Sequence, residues 1–364
     1  MKKTVIVRTA AALLAAVLLY PGRALAISAG KAILMDAQTG RILFEKQAND
    51  CSLIASTTKI MTALLVSQQC NVLDIVSVPK EAVGIEGSSM YLQEGERLTV
   101  QELLYGLMLS SGNDAAVALA MYCSGTVEAF VEAMNAKARQ LGLTHTHFAN
   151  PHGLDAPEHY STATDLAVLA SYAMTDPIFA QTVSTKSVRV GERYLTNHNK
   201  LLWQVDGADG VKTGYTKAAG RILVSSAVRC GRRLICVTID DRNDWLDHKT
   251  LYDHGFADFQ QKQLVEVGQT MGSVMVFGGT EDRVDVLAAE DFIFALAPGE
   301  QISFRLSIGE FAYAPVVQGA KAGFAYVCVD GKAVGKVVVV YDKTIEMIPQ
   351  QKRNFWDKIF GGKT

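Results

Sequence analysis

The pattern of apolar positions changes along the chain and predicts a mixed region followed by a strand-only region. Residues 33–44 read as two short strands around an Asp-to-Gly turn. Paired strands are also expected on either side of Gly231. Apolar residues return with helical spacing in residues 56–69, 100–109, 114–121, 128–141 and 164–173. Helices followed by a closing antiparallel hairpin predict an α+β domain over residues 27–260.

The pattern becomes rich in β-formers after Gln263. Seven short runs, separated by Gly, Asp and Glu turns, occupy residues 264–267, 274–276, 284–287, 302–306, 313–317, 324–329 and 334–341. Their spacing is typical of a small all-β sandwich or barrel, which we place at residues 261–345. Since it contains no constellation of reactive side chains, it is interpreted as a spacer or pedestal.

The first 26 residues read as a secretory signal peptide. Lys2, Lys3 and Arg8 precede an apolar run over residues 10–20, and small residues lead up to Ala26. This order predicts export and cleavage after Ala26. The alternative, an uncleaved membrane anchor, requires about 20 apolar residues, more than the run provides.

The last segment, residues 346–364, is predicted to associate with a membrane surface. A short helix would gather its apolar side chains beside basic ones: Phe355, Trp356, Ile359 and Phe360, with Lys352, Arg353 and Lys358. Such a pattern suits the interface of an anionic bilayer. The alternative is a frayed polar tail, because eleven residues form a marginal helix in water.

Charge and cysteine usage exclude several classes of protein. The 364 residues are 49% hydrophobic and 20% charged, with a net charge of −2. Because no basic stripe is present, nucleic-acid binding is not expected. Six cysteines occur without a CxxC pair, so a zinc or redox site has little support. Cys70 and Cys123, in apolar helical runs, are expected to be buried free thiols.

Ser56-Thr57-Thr58-Lys59 opens the first long predicted helix. A spacing of three residues puts the hydroxyl of Ser56 and the amine of Lys59 on one helix face. A serine needs a neighbouring base to become a nucleophile, and a lysine can be that base when burial and other cations lower its pKa. The tetrapeptide alone is weak evidence, since SxxK occurs by chance in many chains.

Two further motifs supply groups that could bind a substrate. Ser111-Gly112-Asn113 lies between two apolar helices, where it could serve a cleft or simply cap a helix. Lys212-Thr213-Gly214 is expected just before the first strand of the hairpin, with the alternative of a polar strand entry. A lysine and a threonine can bind a carboxylate, while the glycine allows a close approach of substrate backbone.

Taken together, SxxK, SxN and KTG in this order are the motif set of β-lactamases and penicillin-binding proteins. The chain resembles the serine-type D-alanyl-D-alanine carboxypeptidases, the low-molecular-mass penicillin-binding proteins. The likeness extends over residues 55–62, 110–116, 150–154 and 209–214, and over the layout of the β region and tail. It implies a transpeptidase-like α+β domain, with an antiparallel sheet and a helical cluster, followed by a small all-β domain.

The resemblance also implies a role for each motif residue. Ser56 would attack the D-Ala-D-Ala carbonyl, with Lys59 as general base and Ser111 relaying the proton. Asn113 would hold the substrate amide. The remaining implied contacts are the terminal carboxylate on Lys212 and Thr213, a close approach at Gly214, and an oxyanion hole from the backbone amides of Ser56 and Tyr215. Peptidoglycan stem peptides and β-lactams are the expected partners, with no cofactor.

Two other polar clusters receive weaker interpretations. His145, His147 and His152 crowd eight residues, but a loop that shapes the cleft is favoured over a metal site. The aspartates around residues 240–247 are interpreted as a solvated acidic loop, with a calcium site as the alternative.

Two rival functions remain open at the level of sequence. A class A β-lactamase also needs a glutamate four residues before an asparagine, and the nearest approach, Glu132 and Asn135, is one residue too short. A β-lactam-sensing or wall-binding protein would form an acyl-enzyme without turnover. The three intact motifs favour the carboxypeptidase.

Overall fold

The computed structural model describes residues 25–349. Within this range the chain divides into two compact units, the first ending at Phe256 and the second beginning at Ala257. The predicted signal peptide, apart from its last two residues, and the predicted tail from residue 350 onward lie outside the described residues.

From residue 25 onward, the first unit combines nine strands with eight α-helices. Its strands are β1 (Lys31–Asp36), β2 (Ile42–Lys46), β3 (Ile75–Ser77), β4 (Arg97–Thr99), β5 (Ser187–Val190), β6 (Arg193–Thr196), β7 (Ala208–Thr216), β8 (Gly220–Arg229) and β9 (Arg232–Ile239). Its helices are α1 (Lys59–Gln69), α2 (Val100–Leu109), α3 (Asn113–Ser124), α4 (Val127–Gln140), α5 (Ala163–Ala173), α6 (Pro177–Ser184), α7 (Leu201–Gln204) and α8 (Asp244–Asp258).

Five strands form one antiparallel sheet in the order β2-β1-β9-β8-β7. Strands β8 and β9 are buried along most of their length, which explains their nearly continuous apolar sequence. Helix α5 contacts β9 and β1. From α8, Tyr252 and His248 both reach the hydroxyl of Ser225 on β8, each at 2.6 Å. The sheet is therefore tied to α8 by buried polar contacts as well as by apolar packing.

Helix α1 is the centre of the helical cluster. Nine of its eleven residues are buried, and it contacts α2, α3, α4, α5 and α6. A helix that is apolar on nearly all sides belongs in a core rather than at a surface. Helix α2 begins with a capping box, in which the Thr99 side chain and Glu102 satisfy each other's backbone N–H groups. The sequence thus places Lys59, the first residue of α1, deep in the unit, directly after the turn that carries Ser56.

After the end of α8 at Asp258, the regular elements described in the second unit, up to residue 349, are all strands. They are β10 (Gln260–Val265), β11 (Thr270–Phe277), β12 (Arg283–Ala288), β13 (Phe292–Leu296), β14 (Ile302–Ile308), β15 (Phe311–Tyr313), β16 (Lys321–Val329) and β17 (Lys332–Tyr341). Six form a sheet in the order β14-β16-β17-β12-β11-β15, and β10 pairs with β13. Valines dominate the buried core. The α+β class and the all-β second region are confirmed, whereas β13 was not predicted from the sequence.

Several local expectations were wrong. Helix α5 begins at Ala163, one residue before the predicted start, and is capped by Thr162, whose hydroxyl accepts from the Asp165 backbone N–H. Cys70 and Cys123 are half-buried, and Cys70 follows α1 instead of lying within it. The sequence pattern also missed α6, α8 and the β5–β6 hairpin, because their apolar residues are few or interrupted by charged ones.

Among residues 25–349, no single helix is long and apolar enough to cross a membrane. Helices α3 and α4 pass that test only as a pair, across a bend of 85°.

Candidate active site

The segment before α1 forms a short 3-10 turn over Ala55–Thr58. This turn contains the half-buried Ser56, three residues before Lys59, which is the first residue of the helix. Ala55 has a positive φ of 44°, so the backbone makes a sharp turn at the serine. Gly153 is required beside it, because a Cβ at that position would lie 1.9 Å from the Ala55 carbonyl oxygen. The 150–154 loop and the serine turn are thus in close contact.

The amine of Lys59 is the most constrained group in the site. It lies 3.0 Å from Ser56 Oγ, 2.6 Å from Asn113 Oδ1 and 2.6 Å from the His152 carbonyl oxygen. Burial lowers the pKa of Lys59 well below its ordinary value, and the charge of Lys212 lowers it further, while Asp114 acts in the opposite direction. These causes favour the neutral amine, the form that accepts a proton.

Ser111 lies in the connection between α2 and α3, and Asn113 is the first residue of α3. Ser111 has a positive φ of 60° and lines the same cleft as Ser56. Asn113 is buried, and its carboxamide accepts from Lys59 and donates to the Glu86 carbonyl at 2.5 Å. In this structure Asn113 therefore orients the lysine. Binding a substrate amide would require it to exchange one of these two hydrogen bonds.

The Lys212-Thr213-Gly214 motif lies within strand β7, which the sequence pattern did not predict and which precedes β8, the first strand of the predicted hairpin. This strand is at the edge of the sheet, with β8 as its neighbour. A Cβ on Gly214 would be 3.3 Å from the backbone nitrogen of Ser56, so the glycine brings the strand against the serine turn. Tyr215 follows, with its side chain 65% exposed. An edge strand has free backbone groups with which an extended peptide can pair.

Lys212 lies behind this edge rather than in the open cleft. Its side chain is 1% exposed and donates to the Thr213 carbonyl at 2.8 Å. Burial lowers the pKa of Lys212 to about 7. The ammonium is thus held beside Thr213, which itself lines the cleft. An anionic group bound at Thr213 would favour the charged form of the lysine.

The cleft has a volume of about 650 Å³, which is the size of a small-ligand site. Its lining comprises Ser56, Ser88, Ser111, Thr196, Asn197, His198, Lys200, Trp203, Thr213, Gly214, Tyr215, Arg221, Ile222, Asp244 and Trp245. Four sequence-predicted side-chain positions, Ser56, Ser111, Thr213 and Gly214, share this cleft. Lys59, Asn113 and Lys212 are buried behind it.

The 196–200 segment of the lining was missed in the sequence analysis. Buried Asn197 and Asn199 hold it, the first donating to the Val183 and Thr185 carbonyls and the second to Gly210. Between them His198 faces the cleft, and desolvation, with the charge of Lys212, lowers the pKa of His198. The sequence feature that could have revealed this segment is the polar run Asn-His-Asn, which lies ahead of the apolar helix α7.

The interpretation of the 240–247 aspartates as a solvated loop agrees with the exposure of Asp240 but was wrong for the other three. Asp241, Asp244 and Asp247 are all buried. Asp241 and Asp247 accept hydrogen bonds from Ser28, while Asp244 forms an ion pair with Arg221 at 2.6 Å. Helix α8 begins at Asp244, so Asp244 and Asp247 belong to its first turn, where they hold Arg221 of the cleft wall and Ser28.

The three crowded histidines do not share one environment. His147 contacts the Glu158 carbonyl and His145 donates its backbone N–H to Asp165, whereas His152 offers its carbonyl to Lys59. Across residues 25–349, no group of three His, Cys, Asp or Glu side chains is positioned to hold a metal ion. Of this cluster, only His152 has a backbone contact with the site.

Comparisons with known proteins agree with this geometry. The family described as D-alanyl-D-alanine carboxypeptidase matches residues 20–243, and that described as penicillin-binding protein 5, C-terminal domain, matches residues 259–347. The D-alanyl-D-alanine carboxypeptidase DacF of Bacillus subtilis is 32% identical over 330 residues, covering 86% of this chain and 84% of that protein. DacD of Escherichia coli is 37% identical over 290 residues, covering 75% of each.

A solved structure gives the same result for the fold. Penicillin-binding protein 5 from Haemophilus influenzae superimposes with a TM-score of 0.76 at 31% identity, covering 88% of this chain and 98% of that one. Sequence family, curated relatives and fold therefore converge on one activity. The chain belongs to the D-alanyl-D-alanine carboxypeptidase family and is a hydrolase of that family.

Proposed function

We propose that the protein removes the terminal D-alanine from peptidoglycan pentapeptides through an acyl-enzyme on Ser56. The observation that carries this proposal is the buried amine of Lys59, 3.0 Å from Ser56 Oγ. A neutral amine has two N–H donors and one lone pair. Its donors match the carbonyl oxygens of Asn113 and His152, both at 2.6 Å. The lone pair is then left for the hydroxyl proton of Ser56.

The acylation step follows from this arrangement. Ser56 Oγ attacks the carbonyl carbon of the D-Ala-D-Ala bond as its proton passes to Lys59. The carbonyl oxygen becomes an oxyanion, for which the backbone N–H groups of Ser56 and Tyr215 are the proposed donors. When the C–N bond breaks, the leaving D-alanine nitrogen takes a proton, relayed from Lys59 through Ser111. Water then hydrolyses the ester and regenerates Ser56.

Recognition of the substrate's C-terminal carboxylate is assigned to β7. Thr213 lines the cleft, and the buried amine of Lys212 donates to the Thr213 backbone carbonyl. A carboxylate bound there would hold the charged form of a lysine whose pKa burial lowers to about 7. A β-lactam carries a comparable carboxylate next to a reactive amide, so it should acylate the same serine.

The β-lactamase alternative is not favoured. The candidate pair Glu132 and Asn135 lies on α4, and both ends of the Asn135 carboxamide bind the backbone of Phe148, at 2.8 and 2.9 Å. Asn135 therefore supports the fold. The matching relatives are named as carboxypeptidases.

We also propose that the protein is exported and acts on the outer face of the cytoplasmic membrane. Support comes from the sequence pattern of residues 1–26 and from the apolar and basic residues after position 350. An extracytoplasmic site is where a peptidoglycan stem peptide is accessible.

The central experiment measures D-alanine release from a synthetic pentapeptide together with the intact mass after exposure to penicillin. Wild type should release D-alanine and gain one covalent adduct on Ser56. Ser56→Ala should lose both, whereas Ser52→Ala, in the same segment but outside the cleft lining, should keep both. An adduct that persists in Ser56→Ala would overturn the assignment of the nucleophile.

A further inference from the structure

Two cysteines outside the active site lie next to each other in the first unit. Cys70 directly follows α1, and Cys123 lies in the last turn of α3. Their Sγ atoms are 2.7 Å apart, and both side chains are half-buried. The sulfur atoms of a disulfide are about 2.05 Å apart, so a bond requires only a small adjustment. We propose that Cys70 and Cys123 form a disulfide that joins the C-terminal ends of α1 and α3.

The surrounding contacts hold the two thiols in place independently of a bond. The Cys70 backbone N–H closes α1 on the Val66 carbonyl. Next to Cys123, the hydroxyl of Tyr122 donates to Asp74 at 2.8 Å. These contacts attach α3 to the segment that follows α1. The two sulfur atoms therefore meet because the fold brings them together.

The local chemistry favours oxidation through Cys70. A hydrogen bond from the Cys123 thiol lowers the pKa of Cys70, so the Cys70 thiolate is the better nucleophile of the two. With a small-molecule disulfide as oxidant, the Cys70 thiolate attacks one sulfur and expels a thiolate, leaving a mixed disulfide. Cys123 then loses its proton, attacks the Cys70 sulfur and expels the second thiolate. The protein loses two electrons and two protons, and the oxidant becomes two thiols.

The remaining cysteines differ from this pair. Cys51 and Cys230 are exposed, while Cys236 and Cys328 are buried in the first and second unit, respectively. Burial raises the pKa of Cys236 well above its ordinary value, which disfavours the reactive thiolate. The exposed cysteines therefore serve as matched controls, because they are accessible to reagents but lie elsewhere in the fold.

The proposed bond has a defined relation to the active site. At their N-terminal ends, α1 and α3 are joined by the 2.6 Å hydrogen bond between Lys59 and Asn113. At their C-terminal ends, they are joined by Cys70 and Cys123. The disulfide would close a covalent loop of the chain that contains the Ser111 segment, and neither cysteine lines the cleft. We therefore expect a change in the stability of the first unit rather than in its chemistry.

The test starts from the unmutated full chain after removal of its signal peptide. The protein is treated with glutathione disulfide, dialysed, unfolded without reductant and alkylated. The proposal expects a peptide pair joined through Cys70 and Cys123, two hydrogen atoms lighter than the separate peptides, with neither of these cysteines alkylated or carrying glutathione. Six alkylated thiols, glutathione adducts that persist without a cross-link, or a cross-link between other cysteines would overturn it.

Single variants then measure the effect of the bond. Cys70→Ser and Cys123→Ser should each lose the cross-link and lower the Tm of the oxidised protein by about 10 °C, with kcat/KM unchanged. Cys51→Ser and Cys230→Ser should retain the cross-link and the Tm. Because the joined peptide pair from the unmutated protein is decisive by itself, misfolding of a variant would leave the proposal testable.

Discussion

The two units of this protein differ in what they bury. Every buried polar or charged side chain among residues 25–349 lies in the first unit, including Lys59, Lys212, Asp114 and His248. The buried core of the second unit is entirely apolar and consists largely of valine and alanine. All seven histidines of the chain also fall within the first unit.

This difference indicates a division of roles, in which the first unit carries the buried polar and charged side chains and the second unit is a structural domain. Burying an ionisable group costs several kcal/mol unless partners compensate for the lost hydration. In the first unit the compensation is visible, as in the buried ion pair of Arg232 and Asp36 at 2.7 Å and in the hydrogen bonds of Lys59. Over residues 257–349, the fully buried side chains of the second unit are apolar and come mainly from alternating strands, a simpler solution that involves no buried charged residue.

The largest effect is expected from removing the buried base. Lys59→Ala should slow acylation by penicillin by about two to four orders of magnitude, the usual contribution of a general base. Lys262→Ala, an exposed lysine on β10 of the second unit, is the control and should leave the rate unchanged. Stopped-flow or mass-resolved acylation rates measure both. An unchanged rate in Lys59→Ala would contradict its role as the base.

An effect of intermediate size is expected when the pH is lowered, and it should reduce the stability of the first unit. Burial lowers the pKa of His152 and His159 to about 4 and of His248 to about 3, against 6.5 ordinarily. Between these values the unfolded chain binds more protons, so the free energy of unfolding falls as the pH drops from about 6.5 towards 3. Each pKa unit corresponds to about 1.4 kcal/mol.

Hydrogen exchange at several pH values, read by mass spectrometry, can follow both units in one experiment. Protection in the first unit should fall more steeply with acid than in the second. His248→Gln should reduce that steepness, whereas His145→Gln, at an exposed position, should not. Equal pH dependence in the two units would show that the buried histidines do not distinguish them.

The smallest effect on catalysis is expected from removing the tail. A cut after Pro349 retains Ile345, which is 1% exposed in the core of the second unit, and should leave turnover of a soluble peptide unchanged. The full chain should float with anionic vesicles, less so at high salt, because its tail combines aromatic and basic residues. The double variant Phe355→Ser, Trp356→Ser keeps the charges and tests the apolar part. Equal flotation of all three forms would contradict the membrane role.

Much of the fold could be predicted because its elements have strong local patterns. Helix α1 was identified by its apolar spacing, and the seven strand runs of the second unit by their alternation and turns. Helix α8 was missed because aspartates crowd its first turns, which reads as a solvated loop. Those aspartates are buried against Ser28 and Arg221, far apart in the chain, and no local pattern reports such contacts.

The sequence by itself determined which chemical groups the protein has: a serine and a lysine one helical turn apart, a second serine with an asparagine, and a lysine beside a threonine. Only the tertiary structure decided how they work. It buried Lys59, which lowers its pKa, and turned Asn113 towards that lysine. It also placed β7 at a sheet edge beside Ser56. The reason is that hydrogen bonds and pKa values depend on neighbours brought from distant parts of the chain, which residue spacing along one segment does not contain.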